Sequence, residues 1–369
     1  MSRLRILLLL AAVSLFAVCP MYAATYAVGS CKPSLPSFSS ISAAVSSVPA
    51  GSTIEVCPGT YAEQVVIATP LTLEGISSGG SAQVVITAAG GGLSTTTGLI
   101  FSPISAQVEV TTGPVNITNI TVDGTGGSNG CSTYLVGIYY DSGSSGTVDE
   151  ATVRNQNNSG CGVGILAENG STTKELVLIE NSSIHDFDYL GIFADSDQLP
   201  GTLTVTIKEN YIDGGLYGVF PYSGTLGSVT DNFVSGAAEY GIASLGPVAI
   251  TGNTVTSSST GIAGQAKGAS VTGNKISNNA IGISLFEFSG MTVKSNTIVK
   301  STFGIEFTCV TGNTVSGNTI NDAATGLDEV PSGSIPSDTF LNVATISNIC
   351  AGAQPGAKSL PSPFDHHPN

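Results

Sequence analysis

Short alternations of apolar and polar residues fill the second half of the chain. Typical segments are Val271-Thr-Gly-Asn-Lys-Ile276 and Gly282-Ile-Ser-Leu285. Valine, isoleucine and leucine alternate there with polar residues, which is the pattern of half-buried β-strands. Because runs this short leave no room for helices, the pattern predicts an all-β fold of many short strands.

The alternation repeats with a period of 21 or 22 residues. Asparagine marks the repeat at Asn210, Asn232, Asn253, Asn274, Asn296 and Asn318. A Gly followed by an aliphatic residue keeps the same phase at Gly218-Val219, Gly241-Ile242, Gly261-Ile262, Gly282-Ile283, Gly304-Ile305 and Gly326-Leu327. A unit of this length cannot bury its own apolar side, so each unit must stack on its neighbours. The repeat therefore predicts a parallel β-helix of about ten coils, in which the asparagines form a buried hydrogen-bonded ladder.

Roughly residues 60 to 330 resemble the right-handed parallel β-helix repeats of the pectin-lyase-like superfamily. Upstream, Ile54-Glu-Val-Cys-Pro-Gly-Thr-Tyr-Ala-Glu63 and Leu71-Thr-Leu-Glu-Gly75 are similar to the opening coil of pectin methylesterases and related β-helix proteins. The chain lacks the Asp-Phe-Ile-Phe-Gly nucleophile segment of those esterases, the Asn-Thr-Asp and Gly-His-Gly signatures of polygalacturonases and the Asp-Pro-His signature of epimerases. The resemblance therefore implies a right-handed β-helix and transfers no catalytic residue.

The N-terminus has the layout of a secretory signal. Residues 1–24 combine Arg3 and Arg5 with an apolar run and a small-residue exit at Ala23-Ala24. The apolar run is too short to span a bilayer, and no later segment approaches that length. The sequence therefore predicts a secreted protein, extracellular or periplasmic, without a membrane span.

The remaining chain divides into three predicted segments. Residues 25–59 form an N-terminal cap, in which the apolar spacing of residues 39–48 predicts a short helix over the end of the core. Residues 60–330 form the parallel β-helix. Residues 331–369 lose the period and are rich in proline, which predicts a C-terminal tail.

Six cysteines remain once the signal is removed. An even number in an exported chain favours three disulfides, for which many connectivities exist. Proximity in sequence favours the pairs Cys31–Cys57, Cys131–Cys161 and Cys309–Cys350. Free buried thiols are the alternative.

The charge balance is strongly acidic. Without the signal, nine basic residues stand against 26 acidic ones, a net charge of about −17. Such a surface excludes nucleic acid as a partner and argues against a lyase that acts on polyuronates. The composition gives no indication of the oligomeric state.

Stacked coils place equivalent residues of successive repeats in columns about 4.8 Å apart. One predicted column contains Asp141, Glu168, Asp195 and Tyr222, at intervals of 27 residues. Neighbouring carboxylates repel one another and should raise at least one pKa unless a cation lies among them. Because Ca²⁺ prefers several oxygen ligands, the column is a candidate calcium site, and no other cofactor is predicted.

A second predicted column contains Asp123, Arg154, His185 and Asp213. It holds the only Arg that remains after signal removal and the only His outside the tail. The same middle coils are rich in aromatic residues, with twelve of the 22 Phe and Tyr residues of the mature chain between Tyr134 and Tyr240. Sugars stack on such rings while carboxylates accept their hydroxyl hydrogen bonds, so the pattern predicts a carbohydrate groove on these coils.

Each residue of this groove has a predicted role. The predicted catalytic residues are Asp141, Glu168, His185 and Asp195. The predicted substrate-binding residues are Arg154, Asp188, Tyr189, Phe193, Asp213, Phe220 and Tyr222. The alternative interpretation is a solvated polar face without chemistry.

Two classes of function stay open. In the first, the protein is a polysaccharide hydrolase or lyase-like enzyme, in which two of the column's carboxylates do acid and base chemistry and His185 assists. In the second, it is a non-catalytic cell-surface, structural or binding β-helix, whose groove contacts a glycan or nothing at all. The clustering on the middle coils favours the first class, whereas the missing family motifs and the scarcity of basic residues favour the second. The sequence favours a secreted, glycan-interacting β-helix and leaves its catalytic activity open.

Overall fold

The computed structural model describes residues 23–77, 83–196, 199–286, 290–331 and 337–350. The predicted signal up to residue 22 and the predicted tail from residue 351 lie outside the described residues. Within them, nearly all regular structure is β-strand, and the single helix is α1 (Ile41–Val45). No helix in these ranges combines the length and the apolar character needed to cross a membrane.

The strands are short throughout the chain. The first eighteen are β1 (Thr25–Val28), β2 (Ser37–Phe38), β3 (Ser52–Val56), β4 (Gly59–Ala62), β5 (Val65–Ile67), β6 (Leu71–Gly75), β7 (Val84–Thr87), β8 (Ile104–Val110), β9 (Val115–Thr118), β10 (Thr121–Asp123), β11 (Tyr134–Tyr140), β12 (Gly146–Asp149), β13 (Thr152–Arg154), β14 (Gly162–Glu168), β15 (Glu175–Glu180), β16 (Ser183–His185), β17 (Leu190–Asp195) and β18 (Leu203–Lys208). The others are β19 (Tyr211–Asp213), β20 (Tyr217–Pro221), β21 (Leu226–Thr230), β22 (Phe233–Ser235), β23 (Tyr240–Ser244), β24 (Ala249–Thr251), β25 (Thr254–Thr256), β26 (Thr260–Gly264), β27 (Ser270–Thr272), β28 (Lys275–Ser277), β29 (Ile281–Leu285), β30 (Thr292–Lys294), β31 (Thr297–Val299), β32 (Phe303–Glu306), β33 (Thr314–Asn321), β34 (Thr325–Val330), β35 (Ser337–Leu341) and β36 (Thr345–Ile349).

Each strand pairs in parallel with the equivalent strand of the next coil, so three faces run along the stack. The first face contains β1, β3, β6, β9, β12, β15, β18, β21, β24, β27, β30 and the start of β33. The second face contains β4, β7, β10, β13, β16, β19, β22, β25, β28, β31, the end of β33 and β35. The third face contains the twelve strands β5, β8, β11, β14, β17, β20, β23, β26, β29, β32, β34 and β36. The chain is therefore a right-handed parallel β-helix, as the repeat predicts.

Parallel stacking extends past the predicted boundaries at residues 60 and 330. Before residue 60, β1 pairs with β3. After Pro331, β35 and β36 pair with β33 and β34, and the Cys350 N–H donates to the Val330 carbonyl at 2.9 Å. The start of the predicted tail thus adds a further coil. Its strands β35 and β36 lack the Asn and Gly markers of the repeat but still pair in parallel with the preceding coil.

Helix α1 covers the N-terminal end of the core. Its residues Ile41, Ala44 and Val45 are buried in the interior apolar cluster. The side chain of Glu63 accepts from the N–H groups of Ile41 and Ser42 at 3.0 and 2.8 Å. A carboxylate therefore satisfies donors that have no partner within the first turn of the helix. The predicted capping helix is confirmed.

The repeated asparagines form a buried ladder between the first and second faces. Each side-chain amide from Asn210 to Asn296 donates to the side-chain oxygen of the asparagine one coil further on, at 2.9 to 3.0 Å. The ladder ends at Asp338, whose carboxylate accepts from Asn318 at 3.1 Å. Asp338 is the last member of the ladder, so it accepts hydrogen bonds from Asn318 and has no further asparagine to which it would donate. A carboxylate, which only accepts, suits this position.

The repeated glycines lie at the corner between the second and third faces. A Cβ on Gly261 would lie 2.6 Å from the Cγ2 of Ile276 and 2.7 Å from the carbonyl oxygen of Gly282. Gly218 has the same surroundings, with Val234 Cγ1 at 2.5 Å. Lack of space for a side chain therefore explains the Gly marker of the repeat.

Two apolar clusters lie on opposite sides of the third face. The interior cluster consists mainly of Val, Ile and Leu from all three faces. The second cluster lies on the outer side and contains Phe101, Tyr139, Phe193, Tyr217 and Phe220. Phe101 comes from residues 94–103, which precede β8 and lie over the outer side of the third face. We call these residues the covering segment. Part of the outer surface of the β-helix is thus itself a packed core.

Three disulfides close the framework. They join Cys31–Cys57, Cys131–Cys161 and Cys309–Cys350, with Cα–Cα distances of 5.7, 5.3 and 5.9 Å. The predicted pairs are confirmed. The third bond ties the end of β36 to the preceding coils.

Candidate functional site

The two predicted columns are present, but they lie on different faces of the β-helix. Strand pairing aligns Asp123, Arg154, His185 and Asp213 on the second face. On the third face, Glu168 of β14 aligns with Asp195 of β17. The turn at residues 186–189 separates β16 from β17, so the structure does not bring His185 and Asp195 into one groove.

Glu168 and Asp195 of the acidic column on the third face are buried, whereas Asp141 is half-buried. Glu168 is 1% exposed and Asp195 is 0% exposed. Glu168 accepts from the N–H groups of Leu99 and Ile100 in the covering segment, at 3.0 and 3.3 Å. In this arrangement its carboxylate holds a loop in place and does not face solvent.

A tyrosine connects two carboxylates of this column. The hydroxyl oxygen of Tyr139 lies 2.9 Å from Asp141 Oδ1 and 2.9 Å from Glu168 Oε2. A phenol carries one hydrogen, so it donates to one carboxylate, and the second contact is favourable when that carboxyl is protonated. Burial raises the pKa of Glu168, to which the charge of Asp141 adds. The network thus favours a proton shared among the three side chains.

Two further carboxyls join the same cluster. Burial raises the pKa of Glu109, and the charge of Asp141 adds to the shift. Burial also raises the pKa of Glu175 to about 7, although the Gly143 N–H donates to it. Burial is thus the main cause of the raised pKa values in this cluster, and repulsion from Asp141 adds to them.

Most of the aromatic residues predicted to stack on sugars are buried instead. Tyr189, Phe193 and Phe220 belong to the outer apolar cluster. Phe193 lies 5.1 Å from Phe101 and 5.7 Å from Phe220, measured between ring centroids. Tyr222 is half-buried against the same rings. These rings pack under the covering segment, which contributes Phe101 to their cluster. The segment lies more than eighty residues earlier in the chain.

Asp188 anchors a neighbouring loop. Its carboxylate accepts from the N–H groups of Asn158, Gly160 and Gly162 at 2.7, 2.8 and 2.7 Å. These donors surround Cys161 of the second disulfide. The contacts of Asp188 are thus those of a residue that fixes loop geometry.

The column of the second face is more accessible to solvent, since Arg154, His185 and Asp213 are half-buried and only Asp123 is buried. Arg154 forms an ion pair with Asp123 at 2.8 Å. Burial raises the pKa of Asp123, but hydrogen bonds from Thr125, Asn155 and Arg154 outweigh it and lower this pKa to about 2. The guanidinium is therefore engaged within its own column.

Beyond Arg154 the column presents groups that can exchange hydrogen bonds. His185 Nδ1 lies 2.6 Å from the carboxylate of Asp186, which fixes the orientation of the ring. Ser235 Oγ donates to Asp213 Oδ1 at 2.5 Å. The imidazole and the Asp213 carboxylate both lie on the solvent side of three-residue strands whose middle residues are buried.

Two exposed aromatic residues complete this surface, and the sequence pattern did not assign them to the site. Tyr211 is 45% exposed and Phe233 is 39% exposed. Their rings stack with centroids 5.5 Å apart and planes within 2° of parallel. Tyr211 shares β19 with Asp213, and Ser183 stands at its position one coil earlier. We call Tyr211 and Phe233 the aromatic pair. Each of the two stands directly before the buried middle residue of its strand, and this alternation is the sequence signal that could have placed both rings on the surface.

A shallow hollow on the first face offers a second concavity. It has a volume of about 590 Å³ and is lined by residues that include Thr147, Leu176, Leu178 and Thr206. Leu176 is 65% exposed. Its lining combines these leucines with Thr, Ser, Asn and Lys side chains but contains no aromatic ring, which makes it the weaker candidate for stacking a sugar.

Within the described ranges, no three His, Cys, Asp or Glu side chains are placed to hold a metal ion. The candidate calcium column of Asp141, Glu168 and Asp195 is thus not among the described groups that could hold a metal ion. The Tyr139 hydroxyl lies between the first two carboxylates, where a shared cation was expected.

Part of the chain matches a family of known description. Residues 198–342 match the model of the periplasmic copper-binding protein family (NosD). Copper binds well to imidazole and soft sulfur ligands. This range has no His, its one Met (Met291) is buried, and its one Cys (Cys309) is in a disulfide. The residues present in the matched range do not fit a copper site.

Solved structures with the same architecture show very low sequence identity. The chain is similar to the A-module of a mannuronan C-5 epimerase from Azotobacter vinelandii, with 14% identity, a TM-score of 0.52 and coverage of 84% of this chain and 92% of that one. It is also similar to the Dettilon tailspike protein, with 15% identity, a TM-score of 0.53 and coverage of 80% and 62%. A lacto-N-biosidase from Eubacterium ramulus gives 10% identity, a TM-score of 0.51 and coverage of 89% and 68%. No curated protein sequence matches the chain significantly. These likenesses support the parallel β-helix fold and assign no activity.

Proposed function

We propose that this protein is an exported β-helix that binds a glycan on its second face, at the aromatic pair. The observation that carries the proposal is the exposed stack of Tyr211 on Phe233. Aromatic rings are costly to leave in water and are the usual stacking surface for the C–H groups of a sugar. An exposed aromatic pair with Ser183 and Thr254 at the neighbouring positions of its column therefore favours a ligand.

The surroundings of the pair suit a pyranose ring. Each ring covers one side of the other, so the second side of Tyr211 points along the column toward Ser183, and that of Phe233 toward Thr254. Both neighbours are small, which leaves room for a sugar to lie against either ring. His185 and Asp213 lie on the same face and supply hydrogen-bonding groups for hydroxyls.

A catalytic role is the second candidate, and the contact between His185 and Asp186 favours it. An imidazole held by a carboxylate is an arrangement used in general acid and base catalysis. In this proposal His185 moves a proton and Asp213 is the nearby carboxylate. The roles predicted for Glu168 and Asp195 require buried carboxylates to become accessible, and Glu168 is held by the covering segment, whereas Asp141 is half-buried. We therefore place binding ahead of hydrolysis or lysis.

Export rests on the three disulfides and on the signal-like sequence of residues 1–24. Disulfides persist in oxidising compartments such as the periplasm and the extracellular space. Polysaccharides are abundant in both places, which agrees with a glycan ligand.

The test is binding of the exported chain to an immobilised polysaccharide panel, with readouts for retention, reducing ends and unsaturated products. The double variant Tyr211→Ala/Phe233→Ala should reduce retention at least tenfold, since stacked aromatic contacts dominate such sites. Leu176→Ala is the matched control, because it removes an exposed apolar side chain from the first face. Equal retention of the parent and the double variant, or no retention on any polysaccharide, would contradict the proposal. Release of reducing ends or unsaturated products by the parent would show that the protein also cleaves the glycan.

A further inference from the structure

We infer that the aromatic pair selects uncharged glycans and excludes those that carry carboxylate groups. The inference rests on the proposed glycan binding and adds the chemical class of the ligand. Its basis is the distribution of charged side chains around Tyr211 and Phe233.

Carboxylates border the pair on two sides. Glu209 and Asp231 are exposed and stand at equivalent turns, two residues before Tyr211 and Phe233. Both adopt left-handed backbone conformations, with φ of 57° and 54°. Asp213 follows Tyr211 in the same strand, and Asp186 follows His185 one coil earlier. A ligand on Tyr211 therefore has acidic groups on both sides, whereas one on Phe233 has Asp231 on one side and Ser235 on the other.

The nearest basic side chains are engaged with acids or are further away. Arg154 is paired with Asp123 at 2.8 Å, and Lys208 is paired with Glu180 at 2.6 Å. Lys275 stands in the same column as the pair, two strands beyond Phe233. Recognition of a uronate normally uses an Arg or Lys that is free to meet its carboxylate. Lys275 therefore lies on the Phe233 side, and around Tyr211 the arrangement offers negative charge close by and positive charge at a distance.

The size of the effect follows from simple electrostatics. Two unit charges about 7 Å apart in water repel by an energy equivalent to roughly a threefold change in affinity at low salt. Two bordering carboxylates therefore disfavour a uronate by about five- to tenfold, and the effect shrinks at physiological ionic strength. A neutral sugar of the same ring geometry experiences no such penalty.

Matched oligosaccharides provide the test. β-1,4-Linked mannohexaose and its mannuronate counterpart differ only at C6, and cellohexaose and its oxidised glucuronate form make a second pair. Binding of each to the full chain is measured by calorimetry at low and high salt. The parent should bind a neutral member at least fivefold more tightly than its uronate counterpart at low salt, and the difference should narrow as salt rises.

The variant Glu209→Gln/Asp231→Asn separates this inference from glycan binding itself. It should leave affinity for the neutral member unchanged and raise affinity for the uronate about five- to tenfold at low salt, because it removes charge and keeps both rings. Stronger binding of the parent to a uronate than to its neutral partner would overturn the inference and leave glycan binding standing. Equal affinities for both members would also overturn it. Absence of binding to all four oligosaccharides and to the polysaccharide panel would overturn the proposed function itself.

Discussion

The ring of Tyr211 stacks on the ring of Phe233 one coil further along the β-helix, with their centroids 5.5 Å apart. Both rings lie on the solvent side of their strands, whereas the middle residues Ile212 and Val234 are fully buried. The pair therefore belongs to the surface of the solenoid and not to its core. This distinction can be measured.

Replacing Phe233 by Thr copies Thr254, the next residue of the column. We expect a loss of about 0.5 to 1 kcal/mol in the free energy of unfolding, which is the usual contribution of an exposed cross-strand pair. Ile212→Ala, at a buried site beside the pair, should cost about 2 to 4 kcal/mol. Chemical denaturation measures both. Equal losses would show that the ring pair is structural.

The asparagine ladder predicts a large effect from one amide. Asn274 donates to the Ile250 carbonyl at 3.0 Å and to Asn296 Oδ1 at 2.9 Å, and it accepts from Asn253. Asn274→Leu leaves buried groups on both neighbouring coils without partners, so unfolding should become easier by at least about 2 kcal/mol. Lys275→Ala, at the next and exposed position, is the control. An unchanged denaturation midpoint for Asn274→Leu would rule out a stabilising ladder.

The corner glycines predict a steric penalty. In Gly261→Ala the new Cβ meets Ile276 Cγ2 at 2.6 Å and a backbone oxygen at 2.7 Å, so the coils must separate slightly. We expect a loss of about 1 to 3 kcal/mol. Gly91→Ala is the matched control, since no atom lies within 4 Å of its added Cβ. Thermal unfolding of the two variants should therefore differ clearly, and equal midpoints would contradict the crowded corner.

The buried acidic cluster predicts that stability falls as pH rises. Glu175 has a pKa of about 7 in the folded protein, above its ordinary value of 4.5. A carboxyl with a raised pKa stabilises the fold while protonated, so its contribution is complete below about pH 4.5 and is lost as pH rises through 7. The free energy of unfolding should therefore decrease between pH 5 and 8.

The variant Glu175→Gln isolates the contribution of Glu175 to the pH dependence of the free energy of unfolding. Glutamine is neutral at every pH and can still accept from the Gly143 N–H. Its unfolding free energy should decrease less between pH 5 and 8 than that of the parent. Glu209→Gln removes one charge at an exposed turn and should keep the parent's slope. If the two variants show the same pH dependence, Glu175 does not titrate as described.

The fold could be predicted from the sequence because its causes are local and repeat. The same crowded corner excludes a side chain at Gly218 and at Gly261, and the same ladder needs an amide at Asn253 and at Asn274. Each coil therefore needs a glycine and an asparagine at the same two positions, and the resulting period can be read from the sequence. The disulfide pairs followed for a related reason, since each joins cysteines on nearby coils.

The site could be predicted only in part. The interval of 27 residues places Glu168 beside Asp195, but it cannot tell whether the column faces solvent. Phe101, Leu99 and Ile100 cover that column, and they come from an insertion that shares no period with it. Likewise, the chain turns a corner between His185 and Tyr189, so closeness in sequence suggested one groove where the structure has two faces.

The most direct test of the central claim uses the absence of tryptophan from the chain. Tyr211→Trp places a single tryptophan in the aromatic pair, and Leu176→Trp places one in the hollow of the first face. Each protein is titrated with the neutral oligosaccharide that the parent binds most tightly. We predict a saturable change in emission for Tyr211→Trp, with the dissociation constant found by calorimetry, and no change for Leu176→Trp. A response from Leu176→Trp alone, or binding by calorimetry without any response at position 211, would contradict glycan binding at the aromatic pair.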